Sequence, residues 1–211
     1  MVLLGMEQGL AFLVAAVLVT LSPGPDNLMV LSLGAARGRR QGMVFGLGCA
    51  LGCLSHTVLA AMGISALLAA SPTAFTALKL AGGAYLIWLG WQAWHSRGSA
   101  PDACALPQAP PALGRLFAKG LLANAINPKV VLFFLAFLPQ FVISSRGQVA
   151  WQTLQLGLLF TAQAAVVFGL LGYFAGYAGR WLTTSRRRSR WLDRVAGSIF
   201  ALLGLKLMLE H

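Results

Sequence analysis

The residues best placed to do chemistry sit in two short segments that interrupt otherwise apolar runs. The first is TLSPGPDNLMVL, residues 20–31. Pro23 and Pro25 remove backbone donors and Gly24 frees the dihedrals between them, so a regular helix cannot run through. Asp26 and Asn27 follow at once, at the start of the next half-helix. The second is LLANAINPKVVLFF, residues 121–134, in which Asn124 and Asn127 precede Pro128 and Lys129. Asn127 reads as an N-cap followed by proline at the first helical position. Lys129 then falls in the first turn, where the helix dipole already makes the potential positive, so an anion is expected close by. That anion is either Asp26 or a ligand carboxylate. If the two breaks meet, the half-helix N-termini and Lys129 would hold the carboxylate of an amino acid and Asp26 its ammonium group. A purely structural Asp26–Lys129 pair is the alternative.

The elements that must position these residues are membrane spans. The chain has 211 residues, 58% hydrophobic and only 10% charged, whereas soluble domains carry roughly 25% charged residues. So few charges cannot cover a water-facing surface, and the lipid bilayer is the expected main solvent. The net charge of +11 does not point to nucleic acid, because the basic residues lie in short runs between apolar stretches. Six apolar runs, at roughly 7–36, 42–69, 74–95, 116–142, 149–179 and 191–209, reach the length of about 20 residues that a spanning helix needs. The first begins almost at Met1 and carries Glu7, so it reads as a span rather than a cleavable signal. Residues 97–115 hold four prolines and form a linker between residues 1–96 and 116–211. At membrane depth, unwound backbone is tolerated only against protein or a water-filled cavity. An ionisable residue there is a functional candidate by default.

Charge sets the expected orientation. Arg37, Arg39 and Arg40 follow the first run; Arg97, Arg115 and Lys119 flank the linker; Arg180, Arg186, Arg187, Arg188, Arg190 and Arg194 follow the fifth. The positive-inside rule places these loops in the cytoplasm and both termini outside. The halves also resemble each other: Gly83 and Gly90 are matched by Gly197 and Gly204, and the Pro25 break by the Pro128 break. With three spans per half the second copy enters the membrane inverted. The expected fold is therefore all-α, integral to the membrane, with six transmembrane helices in two inverted three-helix repeats and helices 1 and 4 broken at proline.

Other polar groups carry less. His56 could touch a ligand or relay a proton, and a hydrogen-bonded bundle histidine is the simpler reading. Gln163 reads as interhelical glue, and the glycines at 42, 46, 48 and 52 as a close-contact stripe. Trp88, Trp91 and Trp94 suit an interfacial anchor. Cys49 and Cys53 are the basis of a rival reading, a membrane thiol or electron-transfer protein. Their three-residue separation is not the C-x-x-C spacing such chemistry uses, and Cys104 lies in the linker. An intramembrane hydrolase lacks its constellation of residues. No metal or cofactor is expected.

The run LSPGPDNLMVLSLGAARGRRQGMVFGLGCALG, then ASPTAF, then LKLAGGAYLIWLGWQAW resembles the N-terminal half of the LysE/RhtB amino-acid exporters. GLLANAINPKVVLFFLAFLPQF resembles that family's second signature. The resemblance implies efflux of amino acids or close derivatives across the bacterial inner membrane. It also implies a proton-driven mechanism, the six-helix inverted repeat and a homodimer. Family members often carry Asn where this chain has Asp26, a departure that suits either a cationic substrate or a carboxylate that carries the proton.

Overall fold

The computed structural model describes residues 4–22, 24–95, 112–183 and 186–209, and every regular element among them is helical. The linker from 96 to 111, with Cys104, and the expected site residue Pro23 lie outside the described residues. Helix α1 spans Met6–Leu21, α2 Pro25–Arg37, α3 Arg39–Ala70 and α4 Pro72–His95. After the linker come α5 (Leu113–Ala125), α6 (Pro128–Leu132), α7 (Val149–Thr183) and α8 (Arg186–Leu209). Helix α5 begins within the stretch expected to be linker, and Arg115 lies on it rather than in a loop.

Two pairs of helices meet at sharp bends, α1 with α2 at 60° and α5 with α6 at 49°. Both bends stand before a proline. The residue preceding proline is driven out of the helical region, and Gly24 (φ −167°, ψ 173°) and Asn127 (φ −73°, ψ 111°) are both extended. Pro25 and Pro128 then occupy the first helical turn, where a missing N–H costs nothing. Beyond α6 the hydrogen-bond register widens to a π turn at Phe133–Phe137, then tightens to a 3₁₀ turn at Leu138–Phe141. Pro139 explains the change, since it has no N–H to continue an α-helical ladder.

Helix α3 packs along α7 and beside α5. Gly172 lies on Met43, Gly46 on Phe168 and Gly157 on Thr57, so α3 and α7 run in opposite directions. Glycines 48 and 52 face α5 instead, at Phe117 and Asn124. Helix α4 packs on α8 through the repeated glycines. A Cβ on Gly90 would stand 2.6 Å from the Gly197 carbonyl, and one on Gly204 2.6 Å from that of Gly83. These contacts are backbone on backbone, which only glycine permits. Phe12, Phe133, Phe134, Phe137, Phe141 and Phe160 knit α1, the π turn and α7 together, with ring centroids 5.0–6.0 Å apart.

Outside this core, large apolar side chains stand exposed on most helices: Met6, Met62, Trp91, Leu122, Tyr177 and Leu209. Such a surface suits hydrocarbon and not water. Among the described residues, α3 and α7 are long and apolar enough to cross a membrane, and four spans result if each bent pair counts as one. Helices α4 and α8 fall short of that measure. Helix α8 opens on a run of arginines, and α4 carries Lys79, glycines, Tyr85 and three tryptophans.

Candidate functional site

A helix that ends inside a protein leaves its last carbonyls without partners. At the end of α1, the Leu18 carbonyl takes the Ser22 N–H at 3.0 Å and the Val19 carbonyl takes the Ser22 hydroxyl at 2.7 Å. The Thr20 carbonyl accepts from the Asn27 amide at 2.8 Å, with the Leu21 carbonyl at 3.4 Å. The ammonium of Lys129 reaches across from α6, donating to the carbonyls of Val19 at 3.2 Å and Ser22 at 3.0 Å. The broken end of α1 is thus capped by Asn27 from one half of the chain and Lys129 from the other.

This resolves the anomaly of a lysine in a helix's first turn. The negative end of a second helix, α1, offsets the unfavourable dipole of its own. Asp26, one of the two anions expected, makes no ion pair with Lys129 among the described residues, so a structural Asp26–Lys129 pair is not what holds the breaks. Gly24 makes room for the arrangement. A Cβ there would stand 2.9 Å from the lysine nitrogen.

Asp26 lies on the other side of the exchange. It is 3% exposed, and its Oδ2 accepts from the Asn124 amide of α5 at 2.8 Å. The Asn124 side-chain oxygen in turn accepts from the Cys53 thiol at 3.4 Å, and its backbone carbonyl faces His56 Nε2 at 3.1 Å. A carbonyl can only accept, so Nε2 carries the proton. His56 also packs on Phe134, with ring centroids 5.7 Å apart. Asn127 accepts the Lys129 N–H at 3.0 Å as the N-cap of α6, whereas Gly24 gives α2 no side-chain cap.

Asp26 and Lys129 face one enclosed cavity of about 10 Å³, whose other polar walls are Thr20, Cys53 and Asn124, closed over by Phe160 and Phe168. That is space for about one water molecule. Of the expected site residues, Asp26, Asn124 and Lys129 line it. His56 stands behind Asn124, and Gly24, Pro25, Asn27, Asn127 and Pro128 build the two breaks around it. Thr20 and Cys53 join the wall without having been expected there. Gln163 of α7 donates to the Thr20 hydroxyl of α1 at 2.8 Å, the interhelical link expected of it, and through Thr20 it stands next to the cavity wall. Its polarity in an apolar span was the available signal.

A separate glutamine belt ties one end of the bundle. Gln8 of α1 donates to the Phe141 carbonyl and, at 3.2 Å, to Gln152 of α7. Gln152 holds both the N–H and the carbonyl of Ile143 at 3.0 Å.

Helices with apolar outer faces, two of them broken around a closed cavity that holds one acid and one base, make up a membrane transporter's architecture. The chain belongs to the LysE type translocator family, whose model matches residues 17–211. It is accordingly a transporter and not an enzyme. It is 36% identical over 200 residues to an uncharacterised membrane protein of Vibrio cholerae, covering 94% of this chain and 95% of that one. It is 34% identical over 198 residues to a homoserine/homoserine lactone efflux protein of Salmonella typhimurium, covering 94% of each. A threonine efflux protein of Escherichia coli is 28% identical over 204 residues, 92% of this chain and 94% of the relative. No solved structure matches the chain.

Proposed function

We propose that the protein exports amino acids or close derivatives from the bacterial cytoplasm across the inner membrane, in exchange for protons, by alternating access. The observation that carries this reading is the placing of Asp26 and Lys129, one acid and one base, at corresponding positions of two helix breaks on one closed cavity. A zwitterion needs both. Its carboxylate meets Lys129, whose third N–H has only the Ser22 hydroxyl at 3.5 Å, and its ammonium meets Asp26. Relatives named for homoserine, homoserine lactone and threonine efflux support the same substrate class.

The cavity of about 10 Å³ falls far below the roughly 300–1,000 Å³ of ordinary ligand pockets. Substrate therefore enters only when helices part, which is what alternating access supplies. Two inverted three-helix repeats, six spans, termini outside the cytoplasm and a homodimer complete the reading. Asp26, alternately neutral and ionised, is its proton carrier. The rival thiol reading finds less: Cys49 and Cys53 are buried free thiols.

The test is efflux from proteoliposomes loaded with a panel of amino acids under an imposed pH gradient. Export driven by an inward proton gradient is expected. If Asp26→Asn transports with undiminished proton coupling, Asp26 is not the carrier.

A further inference from the structure

Buried polar side-chain atoms almost always have a hydrogen-bond partner, and each exception asks for an explanation. Three exceptions surround the two breaks: Asn27 Oδ1, Gln163 Oε1 and Asn127 Nδ2. Their residues are only 5%, 8% and 3% exposed.

The direction in which each amide points is fixed by its neighbours. Asn27 faces the carbonyls of Thr20 and Leu21, which only accept, so its NH₂ must be turned to them and its oxygen left over. The Thr20 hydroxyl spends its proton on the Ala16 carbonyl at 2.8 Å and can only accept from Gln163. The NH₂ of Gln163 is thereby committed and its oxygen is also left over. Asn127 accepts the Lys129 N–H, which leaves its NH₂. The orphans therefore sort by polarity. Two acceptors hang on Thr20, from α2 and α7, while one donor stands beside Lys129.

We infer that Asn27 and Gln163 form an acceptor subsite, anchored on Thr20, that receives a hydrogen-bond donor of the transported molecule: its ammonium group or a side-chain hydroxyl. The inference rests on the export reading above and adds to it residues other than Asp26. Thr20 lines the cavity, and both amides lie one hydrogen bond behind it. Parting α7 from α1 and α2 to admit a ligand would open the Thr20 wall to which both amides are bonded. The donor-bearing orphan on the Lys129 side suits the opposite, carboxylate end of the same molecule.

The test is transport in proteoliposomes of three probes: homoserine, its deoxy isostere 2-aminobutyrate, and 4-hydroxybutyrate, which replaces the ammonium by hydrogen. Gln163→Met keeps the side chain's length and removes its acceptor. Homoserine transport is expected to fall roughly five- to tenfold, the size of one hydrogen bond. If the hydroxyl is the donor, 2-aminobutyrate is unaffected. If the ammonium is the donor, the two amino acids fall alike and 4-hydroxybutyrate is spared. Thr20→Val, which preserves shape but removes the anchor of Gln163, is expected to give the same pattern and serves if Gln163→Met does not fold. Equal losses for all three probes, or no loss for any, overturn the subsite. Wild-type protein that moves none of the three, nor any other amino acid of the panel, overturns the export reading itself.

Discussion

The two breaks share a plan and differ in balance. In each, an extended residue leads into a proline at the start of a half-helix, and a charged side chain comes next, Asp26 in α2 and Lys129 in α6. Each charged group reaches the end of the half-helix that precedes the other break. Asp26 accepts from Asn124 of α5, and Lys129 donates to the carbonyls of α1. The electrostatics then diverge. An acid at a helix N-terminus is favoured by the dipole and a base is opposed by it. Asp26 therefore needs few partners, and among the described residues the Asn124 amide is its side-chain partner. Lys129 needs the carbonyl end of α1, and α1 needs Lys129. The base is committed to holding the fold, while the acid is held by an amide of α5, and on that contrast rests the proposal that Asp26 carries the proton.

The largest effect follows from the committed side. Lys129→Met would leave the Ser22 carbonyl without its donor and the Val19 carbonyl with the Ser22 hydroxyl alone. A bare buried carbonyl costs roughly 1–3 kcal/mol, so a marked fall in melting temperature of the purified protein is expected, with transport abolished. Asp26→Asn should separate these two readouts. The new amide oxygen still accepts from Asn124, so melting stays near that of the wild type. Efflux falls at least about tenfold, as expected when a charge-assisted bond of roughly 1.5–3 kcal/mol is lost, and no longer follows an imposed pH gradient. If Asp26→Asn melts as low as Lys129→Met, the proposed division of labour between the breaks is wrong.

The caps give the next, smaller contrast. Asn127 caps α6 through its side chain, whereas Gly24 offers α2 nothing. Asn127→Ala should lower stability by about 1 kcal/mol, measured as a shift in the denaturation midpoint, while Gly24→Ala acts through crowding of Lys129 instead. Its added methyl would press on the lysine nitrogen at 2.9 Å. Because that nitrogen ends a flexible chain, the expected result is weakened transport with a smaller stability change than Lys129→Met produces.

Both breaks are legible in the sequence because proline and glycine act through local backbone geometry, which needs no knowledge of neighbours. The strangeness of Lys129 is legible for the same reason: a lysine in a first turn is visible wherever the turn lies. Its backbone partners are not, because the carbonyls of α1 leave no mark in a side-chain pattern. Gln163 is legible as a link between helices, but a buried amide has no periodicity to show that Thr20 is the group it meets. The repeated glycines of α4 and α8 are plain as a spacing, but that they meet one another is settled by packing. The π turn after α6 follows from Pro139, several residues downstream of the segment it distorts.

The smallest expected effect bears on the α5 break alone. Cys53 donates to Asn124 through a thiol, a weak donor, at 3.4 Å. Asn124 has a stronger hold elsewhere, on Asp26 at 2.8 Å. Replacing both Cys49 and Cys53 by alanine should therefore leave the orientation of Asn124 and the carboxylate of Asp26 in place. The variant removes two buried sulfur atoms from a close-packed interface, so some stability is lost to the small cavities it opens. Transport rate and its dependence on the pH gradient are expected to remain within about twofold of wild type, because the lost thiol bond is worth no more than the low end of roughly 0.5–1.5 kcal/mol. Loss of proton coupling in the cysteine-free protein would place Cys53 in the coupling path. It would also show that the acid is held by a longer chain of hydrogen bonds than the single amide that distinguishes it from the lysine.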